Sequence, residues 1–183
     1  MTRLARSSPA GLLAGVAVPT EAGVRVARVR NGRGLVATRR FSAGEDVLEV
    51  RGEVVPAAAL ARWWRVGQGR RATNCYRYSP ERYLDPGDGA GAYANHSCRP
   101  NAGVVRYGRA MYLKAILPIA CGDEVTHDYS TLLGVDDVWT MRCNCGERCC
   151  RGLVSNVATI PSGRLGRYVA HRVVPDFILK ALR

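Results

Sequence analysis

The stretch GAYANHSCRPNAG, residues 91–103, decides how the rest of this chain is read. It sets Asn95, His96 and Ser97 in a row, follows them with the thiol of Cys98, and closes on an Arg-Pro-Asn turn. A solvated loop has no need of an amide, an imidazole and a thiol side by side. Further along, CNCGERCC (residues 143–150) holds Cys143, Cys145, Cys149 and Cys150, four of the chain's seven cysteines. Disulfide frameworks spread their cysteines along a small secreted chain. A tight cluster with one remote thiol reads instead as metal binding in a reducing compartment.

The C-x-C-x4-C spacing of Cys143, Cys145 and Cys150 supplies three thiols from a segment too irregular to hold a core of its own. Zinc takes four ligands in a tetrahedron, with thiolate sulfurs at about 2.3 Å. Cys149 adjoins Cys150, and neighbouring residues seldom reach one ion together. Cys98, in its polar loop, is therefore the expected fourth ligand. Cys75 lies in a strand pattern and Cys121 in a turn, and each is expected to be a small buried hydrophobe. A zinc ion held this way would staple the C-terminal segment to the loop that carries Asn95 and His96.

Length and composition bound the rest. A chain of 183 residues, 47% hydrophobic, is expected to form one domain with short appendages. No run approaches the length of apolar residues that a membrane span requires. The apolar stretch PAGLLAGVAVP (residues 9–19), after Arg3 and Arg6, resembles a weak signal-sequence core, and a loosely ordered N-terminus over residues 1–22 is the plainer reading. The formal charge is +12, and Lys114 and Lys180 are the only lysines, so arginine carries nearly all of it. With so much Ala, Gly and Val, part of that arginine reflects codon bias. Such a surface attracts nucleic acid and acidic proteins non-specifically. The arginines stand scattered in sequence, as at Arg39 and Arg40, Arg70 and Arg71, Arg164 and Arg167. A monomer in the cytoplasm is expected.

Short strand patterns recur with turn signals between them. VRVARV (residues 24–29) alternates as a half-buried strand, NGRG (31–34) turns, and LVAT resumes extended chain. VLEV (47–50) and EVV (53–55) are expected to pair with one another. PAAALARWW (56–64) opens on proline and is helix-prone, with Trp63 and Trp64 as packing residues. GQGRRATN reads as a loop, CYRYS as a strand, and LDPGDGAG as turns. AGVV and AMYLKAIL are strands around RYGR, and VVPDFILKAL is a short amphipathic helix. The sum is a mostly β, β-rich α+β class.

Three stretches together resemble a SET-domain lysine methyltransferase of the small stand-alone bacterial type: NGRGLVA (31–37), NHSCRPN (95–101) with GDEVTHDY (122–129), and CNCGERCCRG (143–152). The last resembles the family's post-SET zinc segment. The resemblance covers residues 24–153 and divides the chain into an N-terminal extension (1–22), a SET domain (23–132), a post-SET segment (133–155) and a helical tail (156–183). It implies a fold of small sheets in which the segment holding NHSC and the segment ending in Tyr129 cross as a pseudoknot. It also implies S-adenosylmethionine as methyl donor, zinc as structural metal, and the amine of a protein lysine as acceptor. A nucleic-acid-bound protein, its charge already neutralised, is one such acceptor.

The chemistry asks for alignment of nitrogen, carbon and sulfur, and for a neutral lysine. A free lysine is neutral roughly once in a thousand at pH 7, and a narrow apolar channel beside a sulfonium lowers its pKa. By resemblance, Tyr129 is the catalytic residue. Asn95, His96, Gly32, Arg33 and Gly34 bind the donor, with Tyr93 lining the pocket and Leu153 covering the adenine. Asp128 is expected to brace the crossing strands. His127 stands where relatives carry Phe or Tyr and bears on the degree of methylation. Val50, Ala92 and Val104 replace residues that often supply Tyr, Arg and Tyr, so the lysine channel is expected to hold fewer hydroxyls than usual. The competing reading is a catalytically inactive, zinc-stapled SET-like binding module. A basic zinc module on nucleic acid is a third, for which the scattered arginines offer little support.

Overall fold

The computed structural model describes residues 20–21 and 23–182. The expectations for the extension and its apolar stretch therefore lie outside the described residues, apart from Thr20 and Glu21. In chain order the elements begin with β1 (Thr20–Glu21), β2 (Val24–Val29), β3 (Gly32–Ala37), β4 (Asp46–Val50), β5 (Glu53–Pro56), α1 (Ala57–Arg65) and α2 (Gly69–Thr73). They continue through β6 (Tyr76–Ser79), β7 (Arg82–Asp85), β8 (Asn95–His96), β9 (Ala102–Tyr107), β10 (Ala110–Ala115) and β11 (Thr126–His127). They end with β12 (Met141–Arg142), β13 (Leu153–Val154), α3 (Ser162–Ala170) and α4 (Asp176–Lys180). Small antiparallel sheets dominate, as a mostly β SET-type fold requires. Among the described residues no helix is long and apolar enough to cross a membrane.

The alternation in VRVARV sends Val24 and Val26 into the core and Arg25 to solvent. β2 returns through a tight turn into β3, where Gly32 at φ +94° takes a conformation that an L side chain resists. β1 edges this sheet. A second sheet has the order β4–β10–β9, and a third the order β5–β7–β6. The expected pairing of VLEV with EVV does not form: β4 joins β10 and β5 joins β7. Gly52, between them, passes so close to β7 that a Cβ would sit 2.0 Å from the Asp85 carbonyl oxygen. That close passage turns the chain from one sheet into the next.

GQGRRATN, read as a loop, contains the short helix α2. Its two glycines hide the pattern. Ala72 packs with Val55 and Trp63, and the Arg71 guanidinium lies 4.1 Å over the Trp63 ring and 2.7 Å from Asp85. Cys121 is exposed and Cys75 half-buried, so neither is the buried hydrophobe expected. In the C-terminal part, α3 and α4 cover one face of β9 and β10, burying Tyr168, Val173, Val174 and Ile178 against Val105 and Ile116. Each such side chain contributes about 1.5–3 kcal/mol when fully withdrawn from water. This second core fixes the tail against the segment that follows Cys98.

Candidate active site and metal centre

β8 and β11 run in parallel, with Asn95 opposite Thr126 and His96 opposite His127. The Ser97 amide extends the pairing by donating to the His127 carbonyl at 3.1 Å. Asn101 clamps the second segment: its Nδ2 donates to the Glu124 carbonyl at 2.8 Å, and its Oδ1 accepts the Thr126 amide at 3.0 Å. The following turn brings Tyr129 back onto β8. Its amide donates to His96 Nδ1 at 3.2 Å and its phenol to the Ala94 carbonyl at 3.0 Å. Asn95 through Cys98 and Tyr129 thus meet at one place. Because Nδ1 accepts, the His96 proton sits on Nε2, which faces Cys98 Sγ at 3.4 Å. Burial pulls the His96 pKa down to about 4.

One side of this pair opens on a cavity of about 200 Å³ lined by Tyr76, Tyr83, His127, Tyr129, Leu132 and Trp139, among others. α1 and α2 form its far wall, with Trp64, 51% exposed, on its lining. Trp63, the other expected packing residue, is buried. The Tyr76 phenol donates to the Gly91 carbonyl at 2.6 Å, and burial pushes its pKa well above the ordinary tyrosine value. His127 stacks on Tyr76 at 5.6 Å between ring centres and lies 4.8 Å from Tyr129. Burial lowers the His127 pKa to about 3, so the ring is neutral, and its Nδ1 is buried with no hydrogen-bond partner. Asp137 accepts from Arg77 at 2.7 Å and pins the loop that carries Trp139.

Three tyrosines, Tyr76, Tyr83 and Tyr129, stand on this lining. Val50 and Val104 are core residues, 2% and 3% exposed. Tyr76 enters from β6, a strand whose alternation gave no sign that one face meets a cavity. Sequence reasoning also missed Trp139 and Arg77.

Of the residues expected to bind the donor, Gly32, Arg33, Gly34, Tyr93 and Asn95 gather on the β3 side of β8, whereas the His96 ring faces Cys98 and the Tyr129 amide. Asn95 Nδ2 donates to the Arg33 carbonyl at 3.1 Å and to Glu124 Oε1 at 2.7 Å. The Arg33 guanidinium lies 4.6 Å over the ring of half-buried Tyr93. A Cβ on Gly34 would meet Glu124, Val29 and Asn95 at 2.5–2.9 Å, so these protein groups already use the room that its missing side chain leaves. Gly32, by contrast, faces open space. Among the described residues Asn95 Oδ1 accepts no hydrogen bond, and Arg33 is exposed. Leu153, half-exposed, pairs with Arg142 beside the thiols.

On the other side the sulfurs of Cys98, Cys143, Cys145 and Cys150 lie within 4.8 Å of one another. Two sulfurs bound to one tetrahedral zinc stand about 3.8 Å apart, given zinc–sulfur bonds of about 2.3 Å. Cys98 and Cys143 are 3.8 Å apart. Burial pushes both thiols up, so ionised sulfurs need a cation among them. The donor set fits zinc. Cys149 is exposed and outside the cluster, as adjacency to Cys150 led one to expect.

Asp128 ties this centre to the rest. Its buried carboxylate accepts from Arg151 at 2.7 and 2.9 Å, from the Ser130 amide at 3.1 Å and from the Tyr168 hydroxyl at 3.3 Å. The Arg151 amide in turn donates to Cys98 Sγ at 3.4 Å. One carboxylate thereby joins β11, the thiol hairpin and α3. Arg151 was not foreseen; an arginine beside cysteines in a basic chain carries no distinguishing signal.

The family model described as SET domain matches residues 32–130, and the chain belongs to the SET domain family. It is 29% identical over 135 residues to Histone-lysine N-methyltransferase 2B of Homo sapiens, a match covering 66% of this chain and 5% of that protein. It is 28% identical over 130 residues to an H3 lysine-4 specific histone-lysine N-methyltransferase of Saccharomyces cerevisiae, covering 67% of this chain and 12% of the relative. It is 30% identical over 134 residues to an H3 lysine-36 specific histone-lysine N-methyltransferase of Yarrowia lipolytica, covering 68% of this chain and 17% of the relative. The chain thus spans only a small part of the length of these relatives.

Proposed function

We propose that this protein transfers a methyl group from S-adenosylmethionine to the side-chain amine of a protein lysine. The observation that carries the reading is the place of Tyr129, on the Ala94 carbonyl. Ala94 lines the aromatic cavity, and the next residue, Asn95, turns to Arg33 and Glu124. Successive residues of extended chain face opposite sides. A lysine entering by the cavity and a donor held at Arg33, Tyr93, Asn95 and Gly32 would therefore meet near one phenol. When bound, the donor supplies a methyl group already activated by its sulfonium sulfur.

The chain's own residues then have two tasks. Apolar and aromatic walls, with a neutral His127, disfavour an ammonium ion and so lower the pKa of the entering lysine. The Tyr129 hydroxyl orients the amine for in-line attack. Zinc at Cys98, Cys143, Cys145 and Cys150 would hold the hairpin that carries Arg151 and Leu153. Seven cysteines, none in a disulfide, suit a reducing compartment such as the cytoplasm. Incubation with a methyl-labelled donor and a lysine-rich acceptor protein tests the proposal. Label is expected on lysine, and Tyr129→Phe is expected to lower kcat about a hundredfold. Donor binding with no transfer to any lysine would favour the inactive module instead.

A further inference from the structure

The arginines that stand apart in sequence converge in space. Arg99 follows β8, Arg148 stands in the thiol hairpin, and Arg164 and Arg167 lie on α3; together with His171 they line an open cavity of about 540 Å³. Positions 164, 167 and 171 are spaced by three and four, so they share one helix face. A single carboxylate, Glu147, is on the lining. Among the described residues none of these four guanidinium groups has an ion-pair partner, whereas Arg39, Arg51, Arg71, Arg77 and Arg151 each pair with a carboxylate. The Arg164 Nη1 atom is buried with no hydrogen-bond partner at all. Four like charges facing a single acid repel, and a buried donor without an acceptor costs more still. A bound multi-oxygen anion relieves both.

We propose that this cavity binds the phosphate groups of a nucleic-acid backbone. Forked guanidinium groups match phosphate oxygens in pairs. The cavity is open and far larger than one phosphate needs, which suits successive phosphates of a strand. The +12 charge of the chain draws a polyanion toward it. This groove shares no lining residue with the aromatic cavity. A bound nucleic acid therefore leaves the lysine entrance free, and the acceptor would be a protein carried on the same nucleic acid. The binding site itself does not depend on methyl transfer.

Fluorescence anisotropy of the full chain with a labelled mixed-sequence DNA duplex, between 50 and 200 mM salt, tests this directly. Four engaged phosphates predict a slope of log affinity against log salt of about −3.6. Arg164→Gln with Arg167→Gln should reduce that slope by about 2 and weaken binding roughly tenfold. Arg25→Gln with Arg28→Gln removes the same charge from exposed positions on β2 and should change little. Equal losses in the two double variants would mean diffuse attraction and overturn the site. Arg99→Gln with Arg148→Gln, on the opposite wall, repeats the test if the α3 variant unfolds. Polyglutamate competing as well as unlabelled duplex, or millimolar inorganic phosphate displacing it, would overturn the nucleic-acid assignment.

Discussion

Two histidines stand opposite one another across the parallel pair, and they mark two different regions. On the His96 side both histidine nitrogens and the carboxylate are engaged, although the buried Arg151 Nε has no partner: Nδ1 accepts from Tyr129, Nε2 meets Cys98, and Asp128 joins Arg151, Ser130 and Tyr168. On the His127 side the ring is stacked in an aromatic cavity with one nitrogen unsatisfied. The first region is built to hold, the second to receive. Buried polar groups are normally paired, and the exception points to where a guest is missing. Register partners share a face of the pair, and the Tyr129 ring contacts both, 5.4 Å from His96 and 4.8 Å from His127.

The comparison breaks most severely if the holding region does not hold. Removing metal with a chelator, or Cys98→Ser, should lower the melting temperature by about 10 °C or more and reduce methyl transfer to background. The thiols crowd together without a cation only by staying protonated, and the hairpin then loses its anchor. Unchanged melting and unchanged donor binding after chelation would show that the four sulfurs hold no structural ion.

Asp128→Asn attacks the same region without touching the thiols. It leaves the Arg151 guanidinium, 10% exposed, without its counter-charge. Such a loss costs about 3–5 kcal/mol, read as a fall in urea midpoint. Retained stability would mean that α3 and the hairpin dock independently of this carboxylate.

The legibility of the two regions in the sequence differed in the same way. The holding region was largely readable, because thiols and an Asn-His pair are scarce residue types at recognisable spacing. Cys98, Cys143, Cys145 and Cys150 came together as spacing and chemistry required, and Asp128 took a bracing position. The receiving region was not readable in detail. Tyr76, Tyr83 and Trp64 look like ordinary strand and helix aromatics, and only the tertiary path of β6, β7 and α1 sets them on one cavity. The arginine groove was missed for the same reason: its walls come from four segments distant in sequence. Likewise the pairing of VLEV with EVV followed from proximity along the chain, whereas close passage at Gly52 sent them to different sheets.

Tyr129→Phe moves to the receiving region and should separate function from stability. The phenol makes one hydrogen bond, to the Ala94 carbonyl, so unfolding free energy should change by about 1 kcal/mol. The loss in kcat of about a hundredfold corresponds to ~2.7 kcal/mol of barrier, with donor affinity unchanged. A variant equally damaged in folding and in turnover would place Tyr129 among the holding groups.

The finest test uses pH and His127→Phe. Folding lowers the His127 pKa from 6.5 to about 3 through burial. Above pH 6.5 both folded and unfolded states hold the ring neutral, and pH has no effect through this group. Below it the unfolded chain takes up a proton that the folded chain refuses, and stability falls by about 1.4 kcal/mol per pH unit. Phenylalanine keeps the aromatic stack on Tyr76 and cannot titrate. Between pH 7 and pH 5 the wild type should therefore lose about 2 kcal/mol more than the variant in urea unfolding. His96 and the thiols are present in both proteins, so their contributions cancel. An identical pH response would mean that the His127 ring already finds a partner or solvent, and the contrast between the two histidines would reduce to a difference of packing.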